Sequence, residues 1–276
     1  MRVEALRLVR GWVERASLPD AAAWLAEALA EPGGAAAERA SDRAFALAPR
    51  WLGNAGLRLD EADLAQAKRV RPGLDPRDWS LDEAARIAIL LAAAGEGTAL
   101  PARVRRLART ADLRETAALM RGLPLYPGAD DLVDIARTGV RSGIAPVFDA
   151  IALRNPFPAE RFDEGSWNQM ILKALFMERP LQPIHGLERR ANPALTAMLV
   201  DYAHERWSAG RPVPHALWHC VGMVPDCRGL EALERAATGG GEDGGRHAAA
   251  EALRACRDPR AAEIRARLRI GVPERG

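Results

Sequence analysis

Ser80-Leu-Asp-Glu-Ala-Ala-Arg-Ile-Ala-Ile-Leu-Leu-Ala-Ala-Ala94 decides the fold class of this 276-residue chain. Ser80 and Glu83 stand three apart, the spacing at which a hydroxyl and a carboxylate satisfy each other's backbone N–H groups at a helix start. The run from Ala84 to Ala94 that follows is Ala, Ile and Leu around a single charge, Arg86, with no glycine or proline to break it. Those are strong helix formers, so the stretch reads as a mostly buried α-helix.

The same signals recur on both sides. Val3, Leu6, Leu8, Val9, Trp12 and Val13 form an apolar stripe at helical period. Pro19 stands just inside a second helix, with Trp24, Leu25 and Leu29 facing inward and Pro32-Gly33-Gly34 ending it. Ala35 to Ala48 predicts a third helix closed by Pro49, and Asp60 opens a fourth. Further helices fit Ala102 to Arg109, Asp112 to Arg121, Asp130 to Arg141 and Ala145 to Arg154. Ser166 to Met177 is apolar on nearly every side, which predicts burial. Asn192-Pro193 starts a helix running to Ser208 and stopping at Gly210. Gly239 to Gly245 reads as a flexible break, and Arg246 to Leu268 as a HEAT-like helical hairpin whose second helix begins at Pro259. No strand pattern appears. The expectation is an all-α fold: an irregular stack of antiparallel helix pairs, α-α superhelix or HEAT-like. Its parts are an N-terminal region (1–110), a central region (111–238) and the C-terminal hairpin (246–270), together one continuous domain.

Composition narrows function by exclusion. Lys+Arg number 39 and Asp+Glu 37, a net charge of +2, so the chain lacks the basic excess of a general nucleic-acid binder. No apolar run approaches the roughly 18 residues that read as a membrane span. Three cysteines, Cys220, Cys227 and Cys256, with no CxxC pair and no apolar leader, point to a reducing compartment, taken as the cytoplasm. Phosphate-binding loops, the GxSxG elbow and HExxH are all missing from the sequence.

The residues with chemical promise cluster between about 150 and 207. Gln169 and Lys173 share one helix face. Lys173 is one of two lysines, the other being Lys68, in a chain whose other basic residues are all Arg. A lysine can lose its proton when buried or form a Schiff base, although fixing a neighbouring helix by an ion pair is the plainer reading. Asp201, His204 and Glu205 lie at i, i+3 and i+4; Asp201 orienting His204 would make a general base, and a solvated face is the plainer reading. These two groups could also meet as a buried charged network. His215, His219, Cys220 and Cys227 resemble zinc ligands but lack a second close pair, so no metal and no cofactor is expected. Arg137 with Arg141, and Arg189 with Arg190, could hold a phosphate or carboxylate, or be solvated arginines.

Leu123-Pro-Leu-Tyr-Pro127, Ala152-Leu-Arg-Asn-Pro-Phe-Pro158, Phe162-Asp-Glu164, Trp167-Asn-Gln-Met170, Leu172-Lys-Ala-Leu-Phe176, Arg190-Ala-Asn192 and Asp201-Tyr-Ala-His-Glu-Arg-Trp207 together resemble the EboA family of metabolite-traffic proteins. The resemblance is carried by residues 120 to 222; the N-terminal 110 residues, generic Ala/Arg helix, add nothing to it. It implies a part in moving secondary-metabolite precursors toward the cell envelope, alongside a membrane prenyltransferase and TIM-barrel enzymes, without a defined reaction. The expected partners are therefore a small-molecule metabolite and proteins of the same pathway. The expected ligand-binding residues are Asn155, Trp167, Asn168, Gln169, Lys173, Asn192, Asp201, His204 and Glu205. The leading reading is a binding protein without catalysis. Its rivals are an enzyme working through Lys173 or Asp201/His204, and a scaffold that docks the membrane prenyltransferase.

Overall fold

The computed structural model describes residues 1–30, 35–94, 99–239 and 243–270. These contain sixteen α-helices and no β-strand; one isolated antiparallel bridge joins Gly56 to Ser80. The helices gather into two compact units, Met1–Phe162 and Asp163–Gly276. No described helix is long and apolar enough to cross a membrane.

The first unit is built around the helix quoted above. Every residue from Leu81 to Leu91 of α5 (Leu81–Ala93) is buried, and α1 (Arg2–Ala16), α2 (Pro19–Leu29), α3 (Ala35–Leu52) and α7 (Leu113–Gly122) pack onto it. The carboxylate of Glu83 accepts from the Ser80 N–H at 2.9 Å, so the predicted start holds. On α1 the buried stripe is Ala5, Leu8, Val9, Trp12 and Val13, with Val3 exposed at the first turn. Because α7 shares a core with α5, residues on either side of position 110 belong to one unit.

Pro49 does not close its helix: α3 continues to Leu52. A proline inside a helix removes the donor that would bond the carbonyl four residues back, here that of Phe45. The buried Arg86 of α5 takes that place, its Nε donating to the Phe45 carbonyl at 3.0 Å while its guanidinium lies 5.4 Å from the Phe45 ring centroid. The orphaned acceptor is thus satisfied by a neighbouring helix, and the break that Pro49 predicts is avoided.

The unit is completed by α4 (Glu61–Val70), α6 (Ala99–Ala108), α8 (Val133–Arg141), α9 (Ala145–Ala152) and α10 (Phe157–Arg161). Asp60 caps α4, its carboxylate accepting from the Asp63 N–H at 2.8 Å. The segment predicted as one helix from Asp130 starts as a 3-10 turn, Ala129–Leu132, which the chain enters through Gly128 in the left-handed region at φ 72°. The helix predicted to reach Arg154 ends at Ala152, and Arg154 itself has φ 56°.

The second unit comprises α11 (Glu164–Phe176), α12 (Pro193–Ser208), α13 (His215–Met223), α14 (Cys227–Ala237), α15 (Asp243–Ala255) and α16 (Pro259–Leu268). The C-terminal hairpin forms as α15 and α16, with Asp258 capping α16 ahead of Pro259. Its first helix begins at Asp243, so Gly244 and Gly245 are helical; Pro32-Gly33-Gly34 and Gly240–Glu242 lie outside the described residues. α15 packs against α13 closely enough that a Cβ on Gly222 would stand 3.2 Å from the Ala252 carbonyl oxygen.

Candidate functional site

The residues expected to bind ligand fall into three groups. Asn155 belongs to the first unit, where it is buried and fully used. Its Nδ2 donates to the carbonyls of Met120 and Ala150, both at 3.0 Å, and its Oδ1 accepts from the Phe157 N–H at 3.0 Å. It ties the ends of α7 and α9 to the start of α10.

Trp167, Asn168 and Asn192 lie together in the second unit. Asn192 caps α12 by accepting from the Leu195 N–H at 2.8 Å. It also exchanges a reciprocal amide pair with Asn168 of α11, at 2.9 and 3.1 Å. The cap therefore doubles as the joint between the two helices. Trp167 is fully buried, and the Arg190 guanidinium lies 4.9 Å from its ring centroid.

The remaining candidates look outward. Gln169 is exposed, as is Phe176 at the end of the same helix, so α11 is buried on one side only, against the burial its apolar sequence predicts. Lys173 is half-buried, and desolvation lowers its pKa below the usual lysine value. α12 buries Leu195, Thr196, Leu199, Val200 and Ala203, which at helical period turns Asp201, His204 and Glu205 to solvent. The expected buried network through these residues is not present. Nor does Asp201 orient His204: its carboxylate accepts from Arg228 Nη2 at 2.5 Å, and the His204 ring packs edge-on against Trp207 at 5.4 Å.

Among the described residues no group of three or more His, Cys, Asp or Glu is placed to hold a metal ion. All three cysteines are free thiols. Cys220 is buried, which pushes its pKa up to about 12, and Cys227 accepts a hydrogen bond from Arg260.

The buried charge lies in the first unit, on residues that composition hid. Asp82 is wholly buried; Arg86 reaches one of its oxygens at 2.5 Å, and Ser80 and Arg114 reach the other at 2.6 and 2.7 Å. Burial alone would raise the Asp82 pKa, but the hydrogen bonds from Arg114 and Ser80 and the two cationic charges outweigh it and hold it low. An Arg inside a chain full of Arg gives no sequence signal. The one available clue was the position of Arg86 in an otherwise apolar run.

Beyond this network, α6, α7, α8 and α9 border an open cleft of about 610 Å³ that sequence reading missed. Met120, Ile135, Gly139 and Val147 form buried apolar wall, with Leu113 and Ile144 exposed on the lining. Thr116 and Thr138 also line it, but their hydroxyls already donate to the Asp112 and Asp134 carbonyls at 2.7 and 2.9 Å. Met120 connects the cleft to Asn155, whose amide holds its carbonyl from behind. A second groove of the same unit, about 850 Å³, is polar; there Asp63 is engaged by Trp12 Nε1 at 3.1 Å and Arg15 at 2.5 Å. The second unit holds a smaller cleft of about 440 Å³ lined by Leu181, Ile184, Leu187, Arg189 and His219 among others.

No curated protein and no solved structure matches the chain. The family model described as metabolite traffic protein EboA does, over residues 5–222. The match takes in the N-terminal helices as well as the segment from 120 that carried the resemblance, so the first unit is as much part of the family pattern as α11 and α12. The cleft and the Asp82 network both fall within it. The chain belongs to the EboA family of metabolite-traffic proteins.

Proposed function

We propose that this protein serves metabolite traffic as a binding protein rather than a catalyst, and that it receives a small, largely apolar metabolite in the cleft between α6, α7, α8 and α9. The observation that carries this reading is the cleft's chemistry. Its volume is in the range of small-molecule sites, its wall is mostly apolar, and its threonine hydroxyls are committed to helix carbonyls. Such a lining removes apolar surface from water without asking a ligand to satisfy buried polar groups.

The test uses N-phenyl-1-naphthylamine, an uncharged probe that fluoresces when taken out of water. The protein is expected to bind it saturably at one site. Thr138→Trp, which adds bulk at an exposed position of the lining, is expected to abolish that binding with the circular dichroism spectrum unchanged. Equal binding by wild type and Thr138→Trp would refute the assignment.

A second reading keeps the α11 patch in play as a reactive site. Desolvation lowers the Lys173 pKa, which favours the neutral amine that attacks a carbonyl. Borohydride treatment in the presence of an aldehyde would then leave an adduct on Lys173, and its absence would remove this reading.

A further inference from the structure

We infer that the ligand of the α6–α9 cleft is an amphipathic monoanion, an apolar body ending in one carboxylate that Arg109 receives. The inference rests on the cleft being the binding site, as proposed above. Four charged residues line it: Arg105, Arg109, Asp112 and Asp134.

Two of them are held by hydrogen bonds within the fold, and a third has a cation only at the edge of ion-pair range. Asp112 caps α7, its carboxylate accepting from the Glu115 N–H at 2.8 Å. Asp134 faces Arg137 at 4.0 Å. Arg105 donates to the carbonyl of Asp131.

Arg109 differs. It is exposed at the end of α6, and its guanidinium has no hydrogen bond or ion pair among the described residues. The apolar wall has no counterpart for a charged group, so a charged group of the ligand belongs at this rim. A guanidinium fork matches one carboxylate in a two-point contact. The two aspartates nearby disfavour a ligand of higher negative charge.

Displacement of N-phenyl-1-naphthylamine by decanoate and by 1-decanol separates this inference from the reading beneath it. The two competitors share an apolar chain and differ in the head group. Decanoate is expected to compete about tenfold better than decanol with the wild type. In Arg109→Gln, with the circular dichroism spectrum unchanged, that preference should vanish, and Arg109→Lys should keep part of it. The preference in the wild type should also shrink as salt is raised. If the probe binds but decanoate and decanol compete equally, or if Arg109→Gln keeps the preference, the carboxylate assignment is overturned and the cleft survives as an apolar site. If the probe does not bind at all, the cleft itself is wrong and the inference falls with it.

Discussion

Asn155 Nδ2 lies 3.0 Å from the carbonyl oxygen of Met120, so a side chain of the α9–α10 junction supports a residue whose own side chain forms wall in the apolar cleft. A second bond from the same nitrogen reaches Ala150, and the amide oxygen receives the Phe157 N–H. One buried amide thereby fixes three chain segments, two of which, α7 and α9, line the cleft. Its role is positional, and it places a residue singled out from sequence next to a site that sequence did not reveal.

Asn155→Ala removes all three bonds and leaves the Phe157 N–H buried without its partner. Each such loss costs ~1–3 kcal/mol, and the Met120 carbonyl keeps a second donor in Leu123, so a total of about 3 kcal/mol is expected. Urea denaturation should show a lower midpoint with an unchanged slope. A loss below about 1 kcal/mol would contradict the structural role.

Gly139 is where α8 meets the cleft wall. A Cβ there would stand 2.7 Å from the Met120 sulfur, so Gly139→Ala must push that flexible thioether aside. Helix propensity gains about 0.5–1 kcal/mol from the same change, offsetting the crowding. Thermal stability should stay near wild type while affinity for N-phenyl-1-naphthylamine falls several-fold. Unaltered affinity would remove Met120 from the binding wall.

Arg86 and Pro49 should be energetically coupled through the Phe45 carbonyl. Arg86→Met strips a buried carboxylate of one cation and leaves that carbonyl without its donor, at a cost of about 3–5 kcal/mol. In a Pro49→Ala background the new N–H at position 49 can bond Phe45, and the cost of Arg86→Met should fall by about 1 kcal/mol. A double-mutant cycle measures the difference. Strict additivity would show that the guanidinium is not the donor replacing the one Pro49 lacks.

Asp82 should leave a signature in acid. Its folded-state pKa is lowered from 3.8, so the unfolded chain takes up the proton first. The contribution is fully present above the unfolded pKa, about 4, and is lost as pH falls through the lower folded value. The stability gap between wild type and Asp82→Asn should therefore be constant from pH 7 to about pH 5 and narrow below about pH 4. A gap independent of pH down to 2 would mean that the carboxylate is not held low.

Helix after helix was legible in the sequence because capping residues, proline positions and the 3.6-residue period act locally. Ser80 with Glu83, Asn192 with Pro193, and Asp258 with Pro259 each mark a start that depends on residues a turn away. The errors share a physical cause. Pro49 predicts a stop because the missing donor is a local fact, whereas Arg86, the donor that replaces it, comes from 41 residues away. Asp201 and His204 lie on one side of α12, but which side is buried depends on what packs against the helix. With Leu195, Thr196, Leu199 and Val200 turned inward, both are left to solvent. Composition marked Lys173 as unusual and hid Arg86 among identical residues. The all-α fold, most helix starts and the EboA kinship were thus set down in the chain itself. The buried Asp82–Arg86 pair, the scattering of the expected binding residues and the cleft behind Asn155 arose only in tertiary packing, because burial and enclosure belong to several helices at once and to none of their sequences alone.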